Sequence, residues 1–442
     1  MKMRPARGQL LRLLGIGFGI AVGVGEMIGS GILRSPGIVA ASVHTASIIL
    51  ALWFLGALHV ALEANILAEL GTTFPRVGGP YVFTHRALGD IGGLAVGWAT
   101  WGMHIAGIAA SSIAFSDFVS LLWPWAVGHK ISVAVGLQFA LYSANVLGLR
   151  EGRLAQGATS ALKVILLFAF AVAAIWIVPV PVTLTAASQQ ALPIGIASVV
   201  GAYLLIRGAY NGWAAPVYFS EENIAPARSI PRALFYGLVL TATIYLVVNA
   251  ALLHALGTEG VMASPLPYLQ VLTRVAGGQA SMLFAVGAII TVASCANANI
   301  MIAPRVLYAL ARDRLLPAAL QAVNKGGSPH LAFVLTAIVS MLLASMGSFR
   351  LVFGLVGILA TFVCVLTEIS FFLLRSREPG QERPFRALYY PVLPVLVLII
   401  DVVLLLLFAF SDSAGVIFIA ALCLLCVPLA IIARRTRDEH QI

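Results

Sequence analysis

Residues 25–32 read GEMIGSGI, inside a run otherwise apolar enough to cross a membrane. Glycine inside a helix costs about 1 kcal/mol relative to alanine, and glutamate at bilayer depth costs more. A chain that places both at one point interrupts the helix there, and the use made of that interruption decides the fold.

The surroundings are those of a polytopic membrane protein. Of 442 residues, 60% are hydrophobic and 10% charged, and the mean hydropathy is +0.99. A soluble protein this apolar would lack the polar residues to cover its surface. Apolar runs near the length of a membrane helix recur throughout. About twelve are expected, at 10–44, 46–70, 90–123, 131–149, 154–180, 192–218, 231–256, 278–311, 331–347, 350–374, 388–410 and 413–433. Residues 1–9 form a short basic arm rather than a cleavable leader.

Orientation follows from lysine and arginine. Only Lys130, Arg274 and Arg350 fall in the loops on the far side from the N-terminus, while Arg34, Lys163 and Arg207 lie within spans. The others, including Lys2, Arg4, Arg7 and Lys325, fall on the N-terminal side, so both termini are expected in the cytoplasm, with the chain in the cell's inner membrane. The same asymmetry accounts for the net charge of +10 without a nucleic-acid partner. The lipid bilayer is the expected surrounding.

Five spans after GEMIGSGI, span six holds RGAYNGW (207–213), again mid-segment with two glycines and polar residues. Glycine-broken helices at corresponding places in two halves point to an inverted-repeat transporter site. The halves are 10–180 and 181–374, with two further helices and a tail over 375–442. Each break frees amides at the start of one half-helix and carbonyls at the end of the other. Amides of Ser30, Gly31 and Ile32 suit a carboxylate, and carbonyls near Gly208, Ala209 and Tyr210 suit an ammonium group. Together these suit an α-amino acid. The candidate substrate-binding residues are Ile28, Gly29, Ser30, Gly31 and Ile32 at the first break, and Gly208, Ala209, Tyr210 and Asn211 at the second.

The stretches IGSGILRSPG (28–37), AELGTTFPRVGGPYVF (68–83), GAYNGW (208–213), EENIAPARSIPRAL (221–234) and PRVLYALARDRLLP (304–317) resemble the amino acid–polyamine–organocation transporter superfamily, near its L-type and bacterial Ser/Thr exchanger branch. The resemblance implies a LeuT-like five-plus-five helical fold with two added helices, working by alternating access. It also implies sodium-independent exchange of neutral L-amino acids, with proton symport or carriage of a charged amino acid or amine as alternatives. Gly29, Ser30 and Gly31 match the family's carboxylate-binding stretch, and Gly208, Ala209 and Tyr210 its ammonium-binding turn. At Gly208 many L-type members carry a bulky aromatic lid, and its loss implies either a roomier pocket or a lid supplied from elsewhere, such as Tyr203 or Tyr210. Lys163 matches a family lysine that stands where sodium binds in sodium-driven relatives. The animal L-type proteins join a partner subunit through a cysteine in the outer loop after span three. Here that loop is WPWAVGHK (123–130), so no disulfide-linked partner is expected, only a monomer or weak dimer.

The buried charges read less simply. Glu26 is expected to pair with Lys163, or else to carry a proton or receive a substrate cation. Arg207 would hold an anionic substrate group or pair with Asp117. Glu63 has no evident role. Glu69 would cap or pair near the inner mouth, and Glu221 and Glu222 would meet Arg228 and Arg232. Asn297 and Asn299 would make interhelical hydrogen bonds. An enzyme would need a nucleophile–base set or a metal cluster, and the eight histidines are scattered singly. Cys423 and Cys426 have CxxC spacing but no second pair beside them, so no metal or cofactor is expected. A substrate sensor without transport stays open.

Overall fold

A computed structural model describes residues 12, 14–147, 149–179, 195–264, 266–324, 327–411 and 413–438. The basic arm over 1–9, Lys325, and the start of the second expected half at 181–194 lie outside the described residues. Fourteen α-helices follow in order: α1 (Ile16–Met27), α2 (Ser30–Val43), α3 (Ala46–Thr73), α4 (Pro80–Leu122), α5 (Lys130–Leu147), α6 (Leu149–Ile177), α7 (Ile196–Ala209), α8 (Pro226–Met262), α9 (Pro267–Ala276), α10 (Ala280–Arg312), α11 (His330–Ser345), α12 (Phe349–Arg377), α13 (Val392–Ser411) and α14 (Ser413–Asp438). The β-structure among the described residues is a single bridge between Leu14 and Asn223.

Among the described residues, seven helices are long and apolar enough to cross a membrane, or eight if α1 and α2, bent by 45°, count as one broken span. The remaining expected spans coincide with shorter or more polar helices. α7 stops at the second break after fourteen residues, and the chain resumes as a 3-10 helix over Ala215–Glu222. α11 has sixteen residues, and α5 carries Lys130, Gln138 and Asn145. α4 begins ten residues before the expected start of span three, because Pro80 opens a helical turn with its fixed φ. Gly89 then bends the helix at φ 71°, a conformation that costs a side-chain-bearing residue.

The broken helices sit at the centre. α1 packs on α6, α8 and α10, α2 on α7, and α4 runs alongside α10 and α12. Outside them, α6 turns Ile165, Phe168 and Trp176 outward, the last 84% exposed, as a lipid-facing wall does. On its other face Lys163 is fully buried.

Ion pairs tie the end where the α3–α4 turn lies. Glu69 binds Arg375 (2.5 Å) and Arg383 (3.1 Å). Glu222 meets Arg305 (2.5 Å) and Glu221 meets Arg312 (2.8 Å), both on α10, and not the expected Arg228 and Arg232. The 3-10 segment lies against α10, whereas Arg228 and Arg232 belong to the start of α8. Just beyond α10, burial works against ionisation of Asp313, but hydrogen bonds from His85, Arg76 and Tyr81 hold its carboxyl well below the usual range. A carboxyl so depressed stabilises the fold above its unfolded pKa, and that contribution is lost as pH falls.

Candidate functional site

The first break is two residues long. α1 ends at Met27, Ile28 is extended, and Gly29 leads into α2 at Ser30. Helix starts leave their first amides without intrahelical acceptors, so those of Ser30, Gly31 and Ile32 are free to bind. α2 has no side-chain cap to take them. At the second break, Tyr210 to Ala214 form turns between α7 and the 3-10 segment.

The two breaks touch. A Cβ on Gly31 would stand 2.9 Å from the Cα of Ala209. The hydroxyl of Tyr245, on α8, reaches the carbonyls of both Met27 (2.7 Å) and Ala209 (2.9 Å). Between the breaks lies a cavity of about 40 Å³, lined by Glu26, Gly29, Ser30 and Gly31 from the first and by Gly208, Ala209 and Asn211 from the second. α4 adds Gly107 and Ser111, α10 adds Cys295 and Asn299, and α12 adds Phe353. Room on that scale accepts a few water molecules or a small solute.

Of the nine candidate binding residues, Gly29, Ser30, Gly31, Gly208, Ala209 and Asn211 line this cavity, and three do not. The Ile28 and Ile32 side chains are fully buried in the core. The Tyr210 ring packs on Trp53 and Tyr245, and its hydroxyl donates to the Trp53 carbonyl (3.1 Å). Ala209's carbonyl already accepts Tyr245, leaving its second lone pair for an ammonium group.

Neither tyrosine expected as a lid stands at the cavity. Tyr203 bonds His59 (2.8 Å) and Tyr210 faces the core, so neither covers it. A Cβ at Gly208 would lie 3.6 Å from the ring of Phe353, which also lines the cavity. Phe353→Ala is expected to raise the KM of small amino acids about tenfold, for a loss near 1.4 kcal/mol of binding, and to admit bulkier ones. An unchanged KM across a side-chain size series would exclude a lid role for Phe353.

The charges also pair differently. The Lys163 ammonium donates to the carbonyls of Gly25 (2.5 Å) and Ile28 (2.6 Å). Gly25 lies in the last turn of α1 and Ile28 caps its end, where carbonyls lack amides four residues on. Lys163 therefore holds the end of α1, and the expected pairing of Glu26 with it is not formed. The Glu26 carboxylate, 4% exposed, lies 3.1 Å from Nδ1 of His104 on α4. That nitrogen is also 2.9 Å from Oδ1 of Asn299, and neither Glu26 oxygen meets a hydrogen-bond donor among the described residues.

Arg207 turns to Glu63, not to the cavity and not to Asp117. Asp117 is taken by Arg34 (2.9 Å) and Lys130 (2.8 Å). Asn297 and Asn299 do bridge helices, the former to Asn145 (2.7 Å) and Gln156 (2.8 Å). Sequence reasoning missed His104, Ser111, Cys295, Phe353 and Tyr245. His104, Phe353 and Tyr245 each stand singly in an apolar helix, and Ser111 and Cys295 lie among small polar residues common in membrane helices.

The family model described as amino acid permease matches residues 16–433. The chain is 27% identical to the serine/threonine exchanger SteT of Bacillus subtilis over 414 residues, covering 89% of this chain and 90% of that one. It is 25% identical to the branched-chain amino acid permease BcaP of the same organism, over 90% and 86% of the two chains. It is 24% identical to the mouse large neutral amino acids transporter small subunit 2, over 84% and 72%.

Proposed function

The chain belongs to the amino acid permease family, within the amino acid–polyamine–organocation superfamily, and from that premise we propose that it exchanges small neutral L-amino acids by alternating access, without sodium. It is a multi-pass membrane transporter and not an enzyme. The observation that carries the reading is a cavity between two touching helix breaks, with helix-start amides at one break and carbonyls at the other. One end suits a carboxylate and the other an ammonium group, 29–31 and 208–211 supplying them.

Size and charge refine the substrate. A cavity of about 40 Å³ under Phe353 favours the smallest side chains, and one relative is named for serine and threonine exchange. Arg207 is engaged by Glu63, which leaves an acidic side chain without a partner there. The ammonium of Lys163 occupies the carbonyls that a sodium ion would need, which supports sodium independence. We assign the architecture to a LeuT-like inverted repeat over 10–180 and 181–374, with 375–442 appended. Both termini are cytoplasmic by the lysine and arginine asymmetry, and the carrier works as a monomer or weak dimer without a disulfide-linked subunit.

The test is counterflow in proteoliposomes. Labelled serine should enter vesicles loaded with unlabelled serine, equally in sodium and in choline buffers, and should enter empty vesicles far more slowly. Saturable binding with no flux under any gradient would mean a sensor and defeat the transport reading. A second reading, proton coupling, is favoured by an excess of buried carboxylates beside the site.

A further inference from the structure

Beside the second break, four helices bring two basic and three acidic side chains together within the protein. His59 and Glu63 stand one turn apart on α3, Arg207 on α7, Glu368 on α12 and Asp401 on α13. All are buried, Glu368 being 2% exposed. Tyr203 of α7 bonds Nδ1 of His59 at 2.8 Å, so that its Nε2, 3.4 Å from Asp401, is the nitrogen facing that carboxylate. Ligand atoms of His59, Glu63 and Asp401 lie within 4.8 Å of one another. Cys364 completes the enclosure, 3.5 Å from Arg207.

The charges do not balance. Arg207 answers Glu63, and a protonated His59 would answer Asp401, but Glu368 has no cation left. Neither of its oxygens meets a hydrogen-bond donor among the described residues. Asp401, on α13 packed against α12, likewise has neither oxygen on a hydrogen-bond donor among the described residues. Two carboxyls so placed in a low-dielectric interior stay adjacent only if a proton is held between them. Glu69, further along α3, adds nothing to the imbalance because Arg375 and Arg383 already answer it. A multivalent metal ion is a poor counter-charge, because the Arg207 guanidinium lies on Glu63, one of the three ligands it would use.

The cluster also has a route and a lever. Glu63 and Glu368 line a second cavity of about 40 Å³, which Glu26 and Asn211 of the first cavity also line. That is room for about three water molecules between two sets of carboxylates. Arg207 immediately precedes Gly208, where α7 gives way to the break. A change in the cluster's charge therefore acts on the residue that enters the substrate site.

We propose that His59, Asp401 and Glu368 form a proton-binding site, loaded and emptied once per transport cycle through the cavity it shares with Glu26. The proton adds to the Glu368–Asp401 pair as a carboxylic acid and leaves to water, with no other bond made or broken. This rests on the reading that the chain carries amino acids, and adds that net uptake is driven by a proton gradient while exchange at equal pH is not.

Proteoliposomes separate the two. With an acidic exterior, the wild-type protein should accumulate labelled serine against its concentration gradient and acidify a trapped pH dye. Glu368→Gln and Asp401→Asn should keep serine counterflow within about twofold yet lose about tenfold or more of the gradient-driven accumulation, as removal of a coupling term requires. Failure of wild-type counterflow would defeat the transport reading instead. If counterflow works but a pH gradient drives no accumulation, or drives it equally in the double variant, the proton site is wrong. Should the variants not fold, calorimetry on the wild-type protein decides. Heats of serine binding that depend on buffer ionisation enthalpy in the mildly acidic range support the site, and heats independent of buffer across that range overturn it.

Discussion

Replacing Lys163 with methionine is expected to lower exchange at least about 100-fold, while the protein still inserts and folds. Methionine keeps the length and apolar stem but supplies no donor, so the carbonyls of Gly25 and Ile28 lose their partner. A buried acceptor left unmade costs about 1–3 kcal/mol, and two of them at the break amount to roughly two powers of ten in a binding constant. The effect should be in substrate binding, because the loss falls on the turn that leads to Ser30 and Gly31. Serine-dependent thermal stabilisation, compared between variant and wild type, checks this. A variant with normal stabilisation and normal counterflow would mean that the lysine is only a filler.

Gly31→Ala is expected to cost almost as much by a different route. The added methyl would meet the Ala209 backbone at 2.9 Å, where no side chain can rotate aside. Overpacking of this kind costs about 1–3 kcal/mol, and here it pries apart the two halves of the binding site. Binding of serine should weaken about tenfold or more, by the same conversion. The control is Gly17→Ala in α1, where a Cβ meets nothing within 4 Å. That change should leave exchange intact and slightly raise stability, since alanine favours the helix. Equal losses in both variants would point to helix damage rather than to contact between the breaks.

The membrane class and the two breaks were readable in the sequence, because each has a local signature. Apolar length marks a span, and clustered glycines mark an interruption. Partner choice was not readable. Glu26 sits on the same break as the carbonyls that Lys163 binds, yet its side chain leaves the helix on the side of α4 and meets His104. Arg207 and Glu63 are 144 positions apart, and only the packing of α7 on α3 joins them. Phe353 could not be found as a lining residue, since the missing aromatic at 208 says that the space is open but not which helix borders it. Span counting was blurred by the break itself, which divides span six into a short α-helix and a 3-10 segment.

The outer wall formed by α6 has a practical consequence. One face of this helix carries Ile165, Phe168 and Trp176 outward, and the other carries the ammonium that holds the first break. The brace is thus a single helix thickness from the annular lipid. Acyl-chain length, detergent choice and lateral pressure all bear on that wall directly. Purified samples should hold the substrate pocket only as well as the solvent around α6 imitates a bilayer, so ligand response, rather than yield, is the measure by which to choose a detergent.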